Sequence, residues 1–109
     1  MSKSATTTET AAPADWLVNP TPGDVLQEDF LKLLGMSQSA LAKAVGVPPR
    51  RINEIVLGKR SVTADTDLRL SRYWGVSQGY WLGLQADHDL MQRRRQIAGE
   101  LERITPRAA

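Results

Sequence analysis

Between positions 50 and 60 the chain places Arg50, Arg51, Asn53, Glu54, Lys59 and Arg60, side chains that recognise bases and phosphates rather than make or break bonds. An Arg guanidinium pairs bidentately with guanine O6 and N7, an Asn amide pairs with adenine N6 and N7, and a Glu carboxylate accepts from a cytosine amino group. Arg50 and Asn53 are three apart and share a helix face, and Arg51 and Glu54 form the neighbouring pair. Glu54 has two readings, as an acceptor for a base or as an ion-pair partner that holds Arg50 or Arg51 in place. Lys43, Lys59 and Arg60 are expected on phosphates. Catalytic chemistry has nothing to work with: no cysteine, a single histidine, no Gly-rich phosphate loop and no paired His and carboxylate set. No catalytic residue, metal site or cofactor is therefore expected, the chain is not expected to be an enzyme, and His88 is read as a surface or packing histidine.

Side chains that read bases need a rigid element to carry them into a groove, and Ser37 to Arg60, SQSALAKAVGVPPRRINEIVLGKR, has the pattern of a helix-turn-helix. Leu41, Val45, Val47, Ile52 and Ile55 are apolar where two short helices cross, Ala42 is small at their contact, and Gly46 supplies the permissive backbone of the turn. Ser37 caps the first of the two helices, so Gln38 lies at its amino end, where free N–H groups and the helix dipole favour a phosphate. The second begins at Pro48-Pro49 and stops at Gly58. Its outer face, near the end that enters the major groove in such motifs, shows Pro49, Arg50, Arg51, Asn53 and Glu54.

The flanks supply the rest of an all-α domain. A first helix starts after Thr21, with Pro22 at its first position and Asp24 completing a capping box. Its stripe Leu26, Phe30, Leu33 and Leu34 is expected to be core. Thr63 caps a fourth helix in which Leu70, Tyr73 and Trp74 pack together while Arg69 and Arg72 face solvent. Gly75 closes it, and Ser77 opens a fifth that turns Tyr80, Trp81 and Leu84 inward. Beyond it, Leu90, Ile97, Leu101 and Ile104 form an apolar seam on a helical extension, with Arg93, Arg94 and Arg95 between; pairing with another chain is the favoured way to cover it.

The division expected is a flexible tail over residues 1–18, a helix-turn-helix domain over 19–92 and an extension with its own tail over 93–109. Met1 to Ala14 is rich in Ser, Thr, Ala and Pro and carries too little apolar surface to order itself, and Trp16, Leu17 and Val18 are the first sizeable apolar residues after it. The net charge of +2 is unevenly spread: residues 1–35 carry −3, 36–60 carry +4, 61–92 carry −2 and 93–109 carry +3. The basic stretch thus coincides with the helix-turn-helix, the footprint of a phosphate-contacting surface. Apolar runs are too short for a membrane span, and the absence of cysteine suits a reducing cytosol.

Four blocks in order carry a resemblance: Asn19-Pro20 and Pro22-Gly23 before the first helix, VPPRRINEI, GKRSVTADTDLRLSRYWG, and YWLGLQADHDL. Across Asn19 to Leu90 the chain resembles the HigA-type antitoxins, a branch of the Xre/Cro-like (lambda repressor-like) helix-turn-helix regulators. That resemblance implies a five-helix all-α domain that forms a homodimer, binds a palindromic double-stranded operator over its own promoter, represses its operon and neutralises a HigB-type, RelE-like mRNA endonuclease. It implies a bacterial cytoplasmic, nucleoid-associated protein. By position, Gln38, Arg50 and Asn53 match the DNA-facing surface of the family. Tyr80, Trp81 and Leu84 with the following helix to Leu90 resemble its dimerising end; Ile97 and Leu101 fall outside the resemblance and are expected at the dimer contact from the apolar seam alone, and Trp16 and Leu17 are the guess for toxin contact. The alternative is a stand-alone Xre-family transcriptional regulator without a toxin.

Overall fold

The computed structural model describes residues 18–108, and among these every regular element is helical. Six helices follow in order. α1 is a continuous run made of Pro22–Val25, a π-helical stretch Leu26–Leu31 and Lys32–Leu34. α2 is Gln38–Val45, α3 Pro49–Val56, α4 Ala64–Trp74, α5 Tyr80–Gln96 and α6 Ala98–Glu102. None is long and apolar enough to cross a membrane.

The local signals act where the sequence places them. The Thr21 hydroxyl accepts from Asp24 N at 3.1 Å while the Asp24 carboxylate accepts from Thr21 N at 2.9 Å, the reciprocal capping box, with Pro22 behind it. Ser37 and Thr63 cap α2 and α4 through their hydroxyls. Gly46 lies at φ 75°, a left-handed value that costs a residue with a Cβ and that lets the chain leave α2 and reach α3 in a few residues.

α1 departs from expectation. Its middle makes i→i+5 bonds, as in Lys32 N–H to the Gln27 carbonyl, so one turn holds an extra residue. The inward face therefore runs from Leu26 to Leu31, five apart and both buried, with Phe30 packed beside them. Leu33 and Leu34, expected in the core on a 3.6-residue period, are 76% and 65% exposed. The longer turn has rotated them out.

The core gathers Leu26, Leu31, Leu41, Ala42, Val47, Ile52, Ile55, Val62, Leu70 and Trp81. The ring of Phe30 sits between those of Trp74 and Trp81, with centroids 5.0 Å from each, so α1, α4 and α5 meet on three aromatics. Tyr73 lies edge-on to Trp74 but is largely exposed, so it borders the expected cluster and does not fill it.

α5 begins at Tyr80 after Gly79, three residues later than Ser77. The reason lies in α4. Asp67, only 1% exposed, aims its carboxylate at that terminus and accepts from Gly79 N at 2.8 Å and Leu82 N at 2.9 Å, with the Ser71 hydroxyl donating to it at 3.3 Å. The acid that satisfies the first free N–H groups of α5 comes from another helix, so no local cap was needed. α5 then runs past residue 92 to Gln96, joining the domain and the extension in one helix. At Ile97 the backbone turns to φ −118°, ψ 24°, and Ile104 lies beyond α6. The expected seam is therefore broken rather than carried on one straight helix.

Candidate nucleic-acid interface

The crossing of α1 over α3 fixes α3, which carries the candidate surface, at its base. A Cβ on Gly23 would lie 1.9 Å from the Ile55 carbonyl oxygen, so the two backbones touch and only glycine fits. Ile52 and Ile55 fix the inner face of α3 in the core. Its outer face is then presented beside the amino end of α2.

There the structure brings together residues fifteen apart in sequence: Asn53 Nδ2 donates to Gln38 Oε1 at 3.1 Å, linking the outer face of α3 to the first residue of α2. Arg50, on the first turn of α3, is 84% exposed along its side chain. Pro49 is exposed beside it, as are Lys43 on α2 and Lys59 in the loop after α3. The surface that results carries an amide pair at its centre and cations around it, the composition of a groove reader with backbone contacts at its rim.

Two carboxylates organise the arginines. Glu54 takes Arg50 Nε on Oε2 at 3.0 Å and Arg60 on Oε1, from Nε at 2.9 Å and Nη2 at 2.7 Å. Hydrogen bonds from Arg60 and then Arg50 hold its carboxyl below the usual Glu range. Of the two ion-pair partners considered for Glu54, Arg50 is the one found. Arg51 turns instead to α4, where Nη1 meets Asp65 Oδ2 at 2.7 Å, and the same oxygen takes Arg69 Nε at 3.0 Å. Hydrogen bonds from Arg51 and then Arg69 lower the Asp65 carboxyl likewise.

Arg69 does not simply face solvent. Its Nη1 donates to the carbonyls of Val45 at 2.8 Å and Gly46 at 3.3 Å, closing the carboxyl end of α2. Arg51, Asp65 and Arg69 thus tie α3, α4 and the end of α2 into one chain of charge-assisted bonds. The spacing of Arg51 on α3 suggested a groove-facing side chain; the nearer acid at the start of α4 directs it elsewhere.

Sequence reasoning missed Asp67 and the reach of Arg69. A signal for Asp67 exists: with Leu70, Ser71 and Trp74 it keeps the i, i+3, i+4, i+7 period of the inward face, so a charge stands where a core residue belongs. It also missed Gln85, whose side-chain oxygen accepts from Val62 N at 3.1 Å. His88 is a packing histidine: its Nδ1 donates to the Asn19 carbonyl at 2.9 Å and its own carbonyl accepts from Asn19 Nδ2 at 2.9 Å, clasping the start of the domain to α5.

Of the residues expected at a dimer contact, Leu90 and Leu101 are exposed, Tyr80 is exposed at its edge, and Leu84 and Ile97 are half-buried. Trp81 is completely buried against Phe30 and the rest of the core, which leaves it no surface for a second chain. Trp16 and Leu17 lie outside the described residues.

Comparison with known proteins gives a consistent picture. The helix-turn-helix family model matches residues 28–80. Virulence-associated protein I of Dichelobacter nodosus is 54% identical over 69 residues, 63% of this chain, and this chain spans 64% of that protein's length. The Pseudomonas aeruginosa antitoxin HigA, solved with the higBA promoter, superposes with a TM-score of 0.77 at 30% identity, covering 84% of this chain and 100% of that one. The antitoxin GraA in complex with its operator gives a TM-score of 0.77 at 34% identity, covering 84% and 94%.

Proposed function

We propose that this chain, which belongs to the Xre-type helix-turn-helix family and whose structural neighbours are HigA-type antitoxins, binds a palindromic operator as a dimer, represses its own operon and neutralises a HigB/RelE-like mRNA endonuclease. The observation that carries the DNA part is the Gln38–Asn53 bond beside the outward Arg50, because it holds Asn53 next to Arg50 on a helix whose back is fixed in the core. Arg50 contacts guanine through its terminal nitrogens and Asn53 an adjacent base. Gln38 at the α2 terminus and Pro49 at the start of α3 lie against the backbone, with Lys43 and Lys59 on phosphates. Arg51 acts from behind, holding α3 to α4 through Asp65.

Dimerisation is assigned to the exposed apolar residues of α5 and α6, Leu90 and Leu101 with Ile97, and to the edge of Tyr80. A second copy brought there places two recognition helices about 34 to 36 Å apart, one turn of DNA. Toxin contact is assigned to the segment around Trp16 and Leu17.

The test starts from a duplex selected by the protein out of a randomised pool. Arg50→Ala and Asn53→Ala should each weaken binding to it by about 1 to 3 kcal/mol and relax preference at one position, whereas Lys59→Ala should weaken all duplexes alike. Sedimentation of the complex should find two chains per duplex. Parental binding by the double variant Arg50→Ala/Asn53→Ala removes the assignment of α3. A co-expressed neighbouring RelE-like protein that is neither bound nor detoxified leaves the stand-alone regulator as the function.

A further inference from the structure

We infer that Glu54 is a specificity-determining positioning residue: it sets the direction of the Arg50 guanidinium and uses Arg60 as its counter-charge, so that Arg60 serves the recognition helix rather than the phosphates. This inference rests on the DNA-binding reading above and assigns a role within that surface.

The geometry distinguishes the two arginines. Arg50 is held through Nε alone, at 3.0 Å from Oε2, the bond that leaves both terminal Nη nitrogens for an end-on, bidentate contact with guanine. Arg60 is held side-on, with Nε at 2.9 Å and Nη2 at 2.7 Å on the same Oε1. That arrangement uses the edge by which Arg60 would grip a phosphate. Glu54 itself is only 22% exposed along its side chain, although it lies on the same helix as the exposed Arg50, so its carboxylate sits beneath the guanidiniums and not at the tip of the surface. From there it is poorly placed to meet a cytosine amino group and well placed to aim the side chain above it.

A carboxylate under the reading head also acts against indiscriminate binding. DNA of any sequence offers phosphates, and an arginine that swings to one must leave Glu54 and uncover its charge near the polyanion. A guanine at the correct position is met by Arg50 without breaking that bond. The discrimination therefore comes from a contact kept in one complex and lost in the others.

Fluorescence anisotropy with the duplex selected by the parent and with a scrambled duplex, across a salt series, tests this. Glu54→Gln keeps the shape of the side chain and removes its charge. It should bind the scrambled duplex more tightly, steepen its salt slope by about one phosphate contact, and lower the selected-to-scrambled affinity ratio on the order of tenfold. Changing the guanine read by Arg50 should cost Glu54→Gln less than it costs the parent. In an Arg50→Ala background the same substitution should leave the ratio unchanged within about twofold, because there is no guanidinium left to aim. Arg60→Ala should leave the salt slope of the selected complex as it is in the parent, whereas a phosphate contact would flatten it.

The inference is overturned if the parent discriminates between the duplexes and Glu54→Gln raises both affinities by the same factor, which is the signature of charge alone. It is also overturned if Glu54→Gln alters the ratio equally with and without Arg50. A parent that binds both duplexes alike instead defeats the operator-binding reading, and this inference with it.

Discussion

Removing the carboxylate of Asp67 should be among the most damaging single changes outside the apolar core. In Asp67→Ala, Gly79 N and Leu82 N lose their acceptors at 2.8 and 2.9 Å in a part-buried site. Each stranded donor costs about 1 to 3 kcal/mol, a range that also contains the loss of an ordinary helix cap. Ser71 is not stranded, since its hydroxyl also reaches the Ser77 carbonyl at 3.2 Å. The sum for the two donors is about 2 to 6 kcal/mol, a large part of the roughly 5 to 15 kcal/mol that holds a small domain. For a chain of this size it lowers the melting temperature on the order of 10 to 45 °C. Asp67→Asn keeps one acceptor and turns an amide N–H₂ toward the other donor, so about half the loss, roughly 1 to 3 kcal/mol, is expected. Ser71→Ala, which leaves both backbone bonds in place, should cost about 0.5 to 1 kcal/mol. Thermal and urea unfolding followed by circular dichroism would give the order Asp67→Ala, Asp67→Asn, Ser71→Ala. An Asp67→Asn variant that melts with the parent would show that the carboxylate bonds contribute nothing, and the account of how α5 starts would be wrong.

Gly23→Ala should destabilise by about 3 kcal/mol, because its Cβ meets the Ile55 carbonyl at 1.9 Å and α1 must move off α3, whereas Gly83→Ala, with nothing within 4 Å, should stabilise α5 by about 0.5 to 1 kcal/mol; paired melting curves compare them. The Asp65 carboxyl is lowered in the folded chain by Arg51 and then Arg69, so its links contribute above the ordinary Asp range and are lost as pH falls through the lowered value. Asp65→Asn should therefore flatten the acid side of the stability profile, and in Arg51→Ala the Asp65 resonance should titrate at higher pH than in the parent.

Much of the domain was legible in the chain because its signals are local. Thr21 with Asp24, Ser37 with Gly46, and Thr63 with Gly75 start and stop helices through bonds within a few residues of themselves, while the ring of Pro49 opens α3 by its fixed φ and Gly58 follows its end at φ 74°, and each is found in the structure. The outward residues of α3 were legible for the same reason, since Arg50 and Asn53 lie on the side opposite the buried Ile52 and Ile55. α1 was misread because its six-residue π-helical stretch changes the period on which Leu33 and Leu34 were placed in the core.

What the amino-acid order determined by itself is therefore the set of helices, the turn between α2 and α3, and the residue types on the outer face of α3. What only the tertiary structure decided is how those residues are paired. Arg51 and Asp65 are 14 apart, Asn53 and Gln38 15 apart, and Asp67 and Leu82 15 apart. Periodicity cannot choose among the acids available to an arginine, because the choice depends on which helix ends arrive beside it. Here the close crossing at Gly23 and the aromatic contact among Phe30, Trp74 and Trp81 set those arrivals. They leave Arg50 aimed outward, Arg51 drawn back to α4, and Trp81 sealed in the core.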